Sequence, residues 1–353
     1  MSNESITNNA SKSDGFPPVR RILPVLITQV LVAMTVAGAF AGLYIGLQKA
    51  PSPHHLPVAV VGSQVADAAA GALGDRADVR TAGSPSDARD LVRSRDAVAA
   101  LVPGNGSDDW TLYTAGAEGR SATTAATTML SGVAAGAGAS VTRTQDLVPL
   151  ATNDAQGIAG FYLVFGTTLA AFILAQVMNS LGTLARLRTR IVVTVVGSLA
   201  AAAVVAVIAG PIDGAVPAST GAVVVVLSLL AVAVSLSTTA ITSIVGPMGV
   251  IVSTLLFTTL GNATSGATIS THLLPPVLAT VGQALPPGAA FGAVTGFSYF
   301  DGAGATGALL TLGAWILAAA AALSVAHRVR TGAARRRDVA AIAAPVTPAA
   351  VVA

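Results

Sequence analysis

Cysteine is absent from the chain, which excludes disulfides, thiolate metal sites and a cysteine nucleophile. Charge is scarce: 10% of residues are Asp, Glu, Lys or Arg, against about 25% in an ordinary soluble domain. Lysine is rarer still, with only Lys12 and Lys49. No G-x-x-x-x-G-K-[ST] occurs, so the chain carries no phosphate-cradling loop of its own. No G-x-S-x-G nucleophile elbow is present either. The net charge of +3 is small and comes from arginines collected at a few places, which gives no reason to expect a nucleic-acid partner.

What is abundant is apolar sequence, 53% of the 353 residues. Between Arg190 and Arg328 the only formal charges are Asp213 and Asp301. A water-soluble fold would not leave that much surface uncharged, so lipid must cover it. The expected fold class is an α-helical integral membrane protein of six transmembrane helices. The apolar runs are Ile22–Leu47, Ile158–Val177, Ile191–Ala209, about Ala218–Leu236, about Thr242–Leu260 and about Thr306–Ala326. The fourth and fifth are separated only by the hydroxyl-rich Ser237–Ile241. The first run exceeds the roughly 7–15 apolar residues of a secretion signal and reads as an uncleaved anchor. Residues 1–21 read as a polar tail.

Residues 48–156 differ in character, with eight basic and eleven acidic residues. "LPVAVVG" (Leu56–Gly62) reads as a buried strand, followed by a helix near Gln64–Leu73 and a short strand, "ADVRTA". "SPSDARDLVRSR" opens a helix with Ser84 as N-cap and Pro85 at its first position. "DAVAALVP" and "WTLYTA" are strands, "SATTAATTMLSGVAAG" is helical, and "SVTRTQDLVPL" closes the unit. The pattern predicts a small α/β domain inserted between the first and second spans. The five-helix transmembrane domain then covers 157–327, and 328–353 reads as a basic tail without regular structure.

Arginine placement predicts orientation. Lys12, Arg20 and Arg21, then Arg186, Arg188 and Arg190, then Arg328, Arg330 and Arg335–Arg337 mark cytoplasmic segments by the positive-inside rule. Both termini are expected inside, in a plasma (inner) membrane, and residues 48–156 and 261–305 outside. None of the six apolar runs contains Asp, Glu, His, Lys or Arg. Ion-coupled carriers place such groups at membrane depth, so a self-powered transporter is not expected, nor is an enzyme. His54-His55 is an adjacent pair without a third ligand, and no metal or cofactor is expected. The lone G-x-G-x-x-G at Gly302, Gly304 and Gly307 reads as a flexible lead into the last span.

The segment Gly261–Pro287, "GNATSGATISTHLLPPVLATVGQALPP", has four prolines, three glycines and no charge apart from His272. It is too broken to be one clean helix and apolar enough to dip into a bilayer. It is expected as a re-entrant or membrane-surface cap built around Asn262, Ser265, Pro275, Pro276, Pro286 and Pro287. Tyr299 lies at its interfacial aromatic end, beside Asp301. This segment, with "LLPPVLATVGQALPPGAAFGAVTGFSYFDG" running to Gly302, resembles the stretch before the final span of ABC-transporter permeases of the type-2 export class. Their longer relatives include the phage-infection-protein-like membrane proteins. "LPVAVVG" just after the anchor resembles the start of their external domain. The resemblance covers most of the chain as layout, and Leu56–Gly62 and Gly261–Gly302 as motif. It implies a homodimer or heterodimer in membrane lipid that exports a lipid, drug or envelope component. A separate ABC ATPase would supply the energy, docking on Asn179, Leu184, Arg186, Arg188 and Arg190. The external domain is larger than in the smallest drug exporters. That leaves room for another role, as a cell-envelope receptor or scaffold that transports nothing.

Overall fold

A computed structural model describes residues 19–104, 109–182 and 184–343. The expected tail at 1–18 and the last residues, 344–353, lie outside the described residues.

Helix α1, Val19–Lys49, has 31 residues, about 46 Å at 1.5 Å per residue. That exceeds the roughly 30 Å hydrocarbon core. The sheet unit follows as β1 (Leu56–Val61), α2 (Ser63–Leu73), β2 (Ala77–Ala82), α3 (Pro85–Arg93), β3 (Ala99–Val102), β4 (Trp110–Thr114), α4 (Arg120–Gly136) and β5 (Val141–Asp146). Its strand order is β2-β1-β3-β4-β5. Every pairing is parallel except β3 with β4. Each sequential parallel step needs a crossover, and α2, α3 and α4 supply them. Ser84 accepts a hydrogen bond from the Asp87 N–H at 3.2 Å and starts α3, with Pro85 behind it.

Strand side chains alternate between faces, so β1 serves two cores. Leu56, Val58 and Val60 pack under α2 and α4 with Leu101, Leu112 and Leu130. Ala59 faces the other way, with Ala100, Tyr113 and Val92 of α3. This second core is built largely of alanine. Phe300, from a distant part of the chain, completes it and is only 3% exposed.

The remaining elements are α5 (Ala159–Ser180), α6 (Leu187–Val207), α7 (Thr220–Val245), α8 (Gly249–Ser253), α9 (Pro276–Ala284), α10 (Pro286–Tyr299) and α11 (Ala305–Ala343). π-helical turns continue α6 to Ile212 and α8 to Gly261. Among the described residues, five helices are long and apolar enough to cross a membrane, or six if the bent pair α9–α10 counts as one span. These mark a multi-pass membrane protein that also carries a five-stranded sheet. α7 is the central post. Val226, Leu227, Leu230 and Val234 are buried on it, against Leu163, Ala171, Ala202 and Ala206 of its neighbours. Alanines at the crossings let the backbones approach, as helix pairs in lipid require.

Two expectations need correction. The fourth and fifth predicted spans do not separate at Ser237–Ile241. Helix α7 runs straight through: Thr239 bonds back to the Ser235 carbonyl at 2.9 Å, while the Ser237 and Thr238 hydroxyls lie buried without a hydrogen-bond partner. The break is at Gly246–Met248, where Gly246 has φ +78°. A Cβ added to Gly249 would lie 2.6 Å from the Thr242 Cα. Residues seven apart on a straight helix are separated by about 10 Å, so the chain folds back here. The second correction concerns the tail. Residues 328–343 continue α11 as helix because alanine and arginine are among the strongest helix formers.

Candidate functional site at the sheet–cap junction

The two groups of residues singled out in the sequence lie at opposite ends of the helical bundle. Asn179, Leu184, Arg186, Arg188 and Arg190 sit where α5 ends and α6 begins. Arg190 donates to the Asn179 side-chain oxygen at 3.0 Å. Arg186 is the N-cap residue of α6, and Arg186 and Arg188 are exposed. Leu184 is 82% exposed. The C-terminal part of α11 reaches the same end, where Arg330 donates to the Ser243 carbonyl of α7.

At the other end, the sheet unit rests on residues 261–305. Asn262 is buried, and its amide nitrogen donates to the Phe257 carbonyl at 2.9 Å. Ser265 donates to the Asn262 carbonyl at 2.8 Å. Together they close the π-helical turns. Pro275 and Pro276 start α9, and Pro286 and Pro287 start α10. Such positions suit proline because the first N–H groups of a helix are unpaired anyway. The two helices meet at 82°. The bend is held by Trp315 of α11, which donates to the Ala284 carbonyl at 2.8 Å. Gln283 donates to the Ser265 carbonyl at 3.2 Å. Glycine at 282 lets α9 come close, since a Cβ there would lie 2.1 Å from the Thr264 carbonyl oxygen. The Tyr299 hydroxyl accepts from the Ala151 N–H at 3.4 Å, tying α10 to the linker ahead of α5. Asp301 stands apart, exposed in a turn at φ +49°.

The side chains that join sheet and cap were not legible in advance. Arg95 donates through Nε to a Glu118 carboxylate oxygen at 2.6 Å. The two side chains are 24% and 11% exposed. The same guanidinium lies 3.4 Å from the Gly292 carbonyl and 3.5 Å from the Ala303 carbonyl. It also sits over the Phe300 ring, 5.2 Å from its centroid. Twenty-three residues separate the ion-pair partners, so no periodicity could have announced them. Asp154 does have a sequence signal, a carboxylate just ahead of an apolar run. It accepts from the Ile158 N–H at 2.9 Å and the Ala159 N–H at 3.2 Å, and so caps α5.

A crevice runs through this junction. One chamber of about 400 Å³ is bounded by Glu118, Arg120 and Gln156 on its sheet side and by Phe291, Val294 and Tyr299 on its bundle side. A second, of about 650 Å³, is bounded by Arg95, Asp96, His272, Gln283 and Thr311. Between them is a narrow pocket of about 50 Å³ whose wall includes both Arg95 and Glu118. The ion pair therefore stands at the throat between two chambers. Among the described residues, no three His, Asp or Glu side chains come together to hold a metal. Comparison with protein-family models, with curated proteins and with solved structures finds no match.

Proposed function

We propose that this chain is the membrane-spanning permease subunit of an ABC-type exporter, moving a lipid, drug or envelope component outward with energy from a separate ATPase. The observation that carries the reading is the separation of charge along the bundle. Arg186, Arg188, Arg190, Arg328 and Arg330 gather at one end, while the sheet, Asp213 and Asp301 belong to the other. The helices between are uncharged. By the positive-inside rule, the arginine end is cytoplasmic and the sheet unit and crevice face out. In this reading α7 and α8 are the two legs of a folded hairpin, the bent pair α9–α10 is re-entrant and does not cross, and the chain makes six crossings. A bundle without intramembrane ionisable groups has no proton relay of its own, which fits energy arriving from a partner. The exposed Leu184, Arg186 and Arg188 form the docking surface in this reading. Two copies, or this chain and a related one, make the complete permease.

The test is co-purification. The tagged chain is drawn from its native plasma membrane in mild detergent, and stoichiometric partners are identified by mass spectrometry. A P-loop ATPase is expected with the wild-type chain and is expected to be lost with Arg186→Glu/Arg188→Glu. Absence of any ATPase, under conditions that keep other ABC complexes whole, overturns the proposal.

A second reading is a non-transporting envelope receptor or scaffold acting through the sheet unit. It is favoured by a groove of about 620 Å³ between α2 and α4, lined by Val65, Ala68, Met129 and Val133. This reading predicts binding of an envelope partner that charge reversal at 186 and 188 leaves unchanged.

A further inference from the structure

Three of the four histidines meet at one edge of the sheet–cap junction. The His54 N–H donates to the His272 carbonyl at 2.8 Å, joining the linker after α1 to the turn ahead of α9. His55 lies 3.1 Å from an Asp78 carboxylate oxygen, both side chains being 62% exposed. His272 is the inner member. It forms part of the wall of the 650 Å³ chamber with Arg95 and Glu118, and of a further pocket with His54 and His55. The latch from sheet to cap therefore has a titratable group beside it.

We propose that His272 is the trigger of an acid-opened latch between the sheet unit and the cap. In the closed junction Glu118 is the carboxylate that balances Arg95, and Arg95 holds the Gly292 and Ala303 carbonyls and the Phe300 ring. A proton on His272 adds a second cation to a half-buried space that already holds a guanidinium. It repels Arg95 and competes for Glu118. The charged groups around His272 are Arg95 and Asp96 from the loop after α3, Glu118 from the turn before α4 and Asp78 from β2, and the other titratable side chains beside it are His54 and His55 from the linker. Helices α9 and α10 bring no Lys, Arg, Asp, Glu or His, and Asp301 beyond them is exposed and lines neither of the His272 pockets, so nothing on the cap side offsets the new charge.

Burial pushes the His272 imidazole below its ordinary value of 6.5, with the Arg95 charge adding to the effect and the Glu118 and Asp78 charges opposing it. The closed junction therefore binds fewer protons than the open one. Closure is strongest above about pH 6.5 and weakens as the pH falls from there through the lowered value. One proton is involved, so the shift toward opening is at most about tenfold per pH unit. The device does not depend on the transport reading. It describes a junction that loosens in an acidic medium whatever the chain carries.

The absence of native cysteine allows a direct test. Cysteines replacing the exposed Asp90 on α3 and Thr280 on α9 are spin-labelled in the full chain, held in lipid nanodiscs. Distance distributions are measured by pulsed electron resonance at about pH 7.5 and about pH 5, either side of the imidazole range. One short distribution is expected at the higher pH and an added longer population at the lower. His272→Gln should keep the short distribution at both. His54→Gln/His55→Gln should respond as the unsubstituted chain does. An unsubstituted chain whose distances ignore pH overturns the proposal. So does a His272→Gln chain that still responds, or a response lost only when His54 and His55 are replaced.

Discussion

At the scale of single residues, the junction depends on side chains that do different jobs. Phe300 is a plug: the alanine-rich face formed by Ala59, Ala82, Ala88 and Ala100 leaves space that an aromatic ring fills. Phe300→Ala should weaken the docking of the sheet unit by about 3–5 kcal/mol. In the full chain this reads as a lower unfolding midpoint and faster proteolysis within residues 85–115. Unchanged midpoint and cleavage would show that the ring carries no weight. Asp154 is a cap, and the residue is 9% exposed. Asp154→Ala should cost about 1–2 kcal/mol by leaving the first N–H groups of α5 unpaired. Asp154→Asn should recover most of that loss, since the cap needs an acceptor rather than a charge. The thermal midpoints of the two variants check this ordering. Ser84 could be read from sequence because a cap and its helix lie within a few residues of each other. Arg95 with Glu118, and Phe300 with Ala100, could not, because nothing local distinguishes a residue that meets its partner only after the chain has folded.

At the scale of elements, hydrophobic runs and turn chemistry carried unequal amounts of information. The strands of the sheet were legible because short apolar runs are bounded by Gly, Pro and Asp, and because the crossover helices have recognisable starts. The hairpin between α7 and α8 was not, since Ser237–Ile241 looked like a loop and is helix. Hydroxyl side chains do not by themselves stop a helix, and Thr239 bonds back to a preceding carbonyl within it, so a glycine–proline pair is the better stop signal. Gly246 takes φ +78° and ψ −150°, a region open essentially only to glycine that costs another residue about 1–3 kcal/mol. Gly246→Val should lower the thermal midpoint in detergent. Gly221→Val should be close to neutral, because Gly221 is helical and a side chain there meets open space. Equal effects at the two positions would remove the hairpin's dependence on that glycine. The basic stretch after residue 327 has no stop signal of that kind, and its alanines and arginines carry α11 on to Ala343.

At the scale of the whole molecule, composition alone separated lipid-covered from water-covered sequence. The placement of arginine gives an expected orientation of the two ends, which the measurement below tests. What sequence did not show was that residues 261–305 and the sheet unit form one structure, with a crevice between them and the Arg95–Glu118 pair at its throat. The permease proposal stands on the direction in which this assembly crosses the membrane, because it requires the arginine end to face an ATPase inside the cell. The most direct measurement is labelling of single cysteines in a chain that has no others. Asp90→Cys and Thr189→Cys, both at exposed positions, are treated with a membrane-impermeant maleimide in intact cells and after permeabilisation. The account predicts that Cys at position 90 reacts in intact cells and Cys at position 189 only after permeabilisation. The reverse pattern would put the arginine end outside, out of reach of any cytoplasmic ATPase, and would contradict the permease reading.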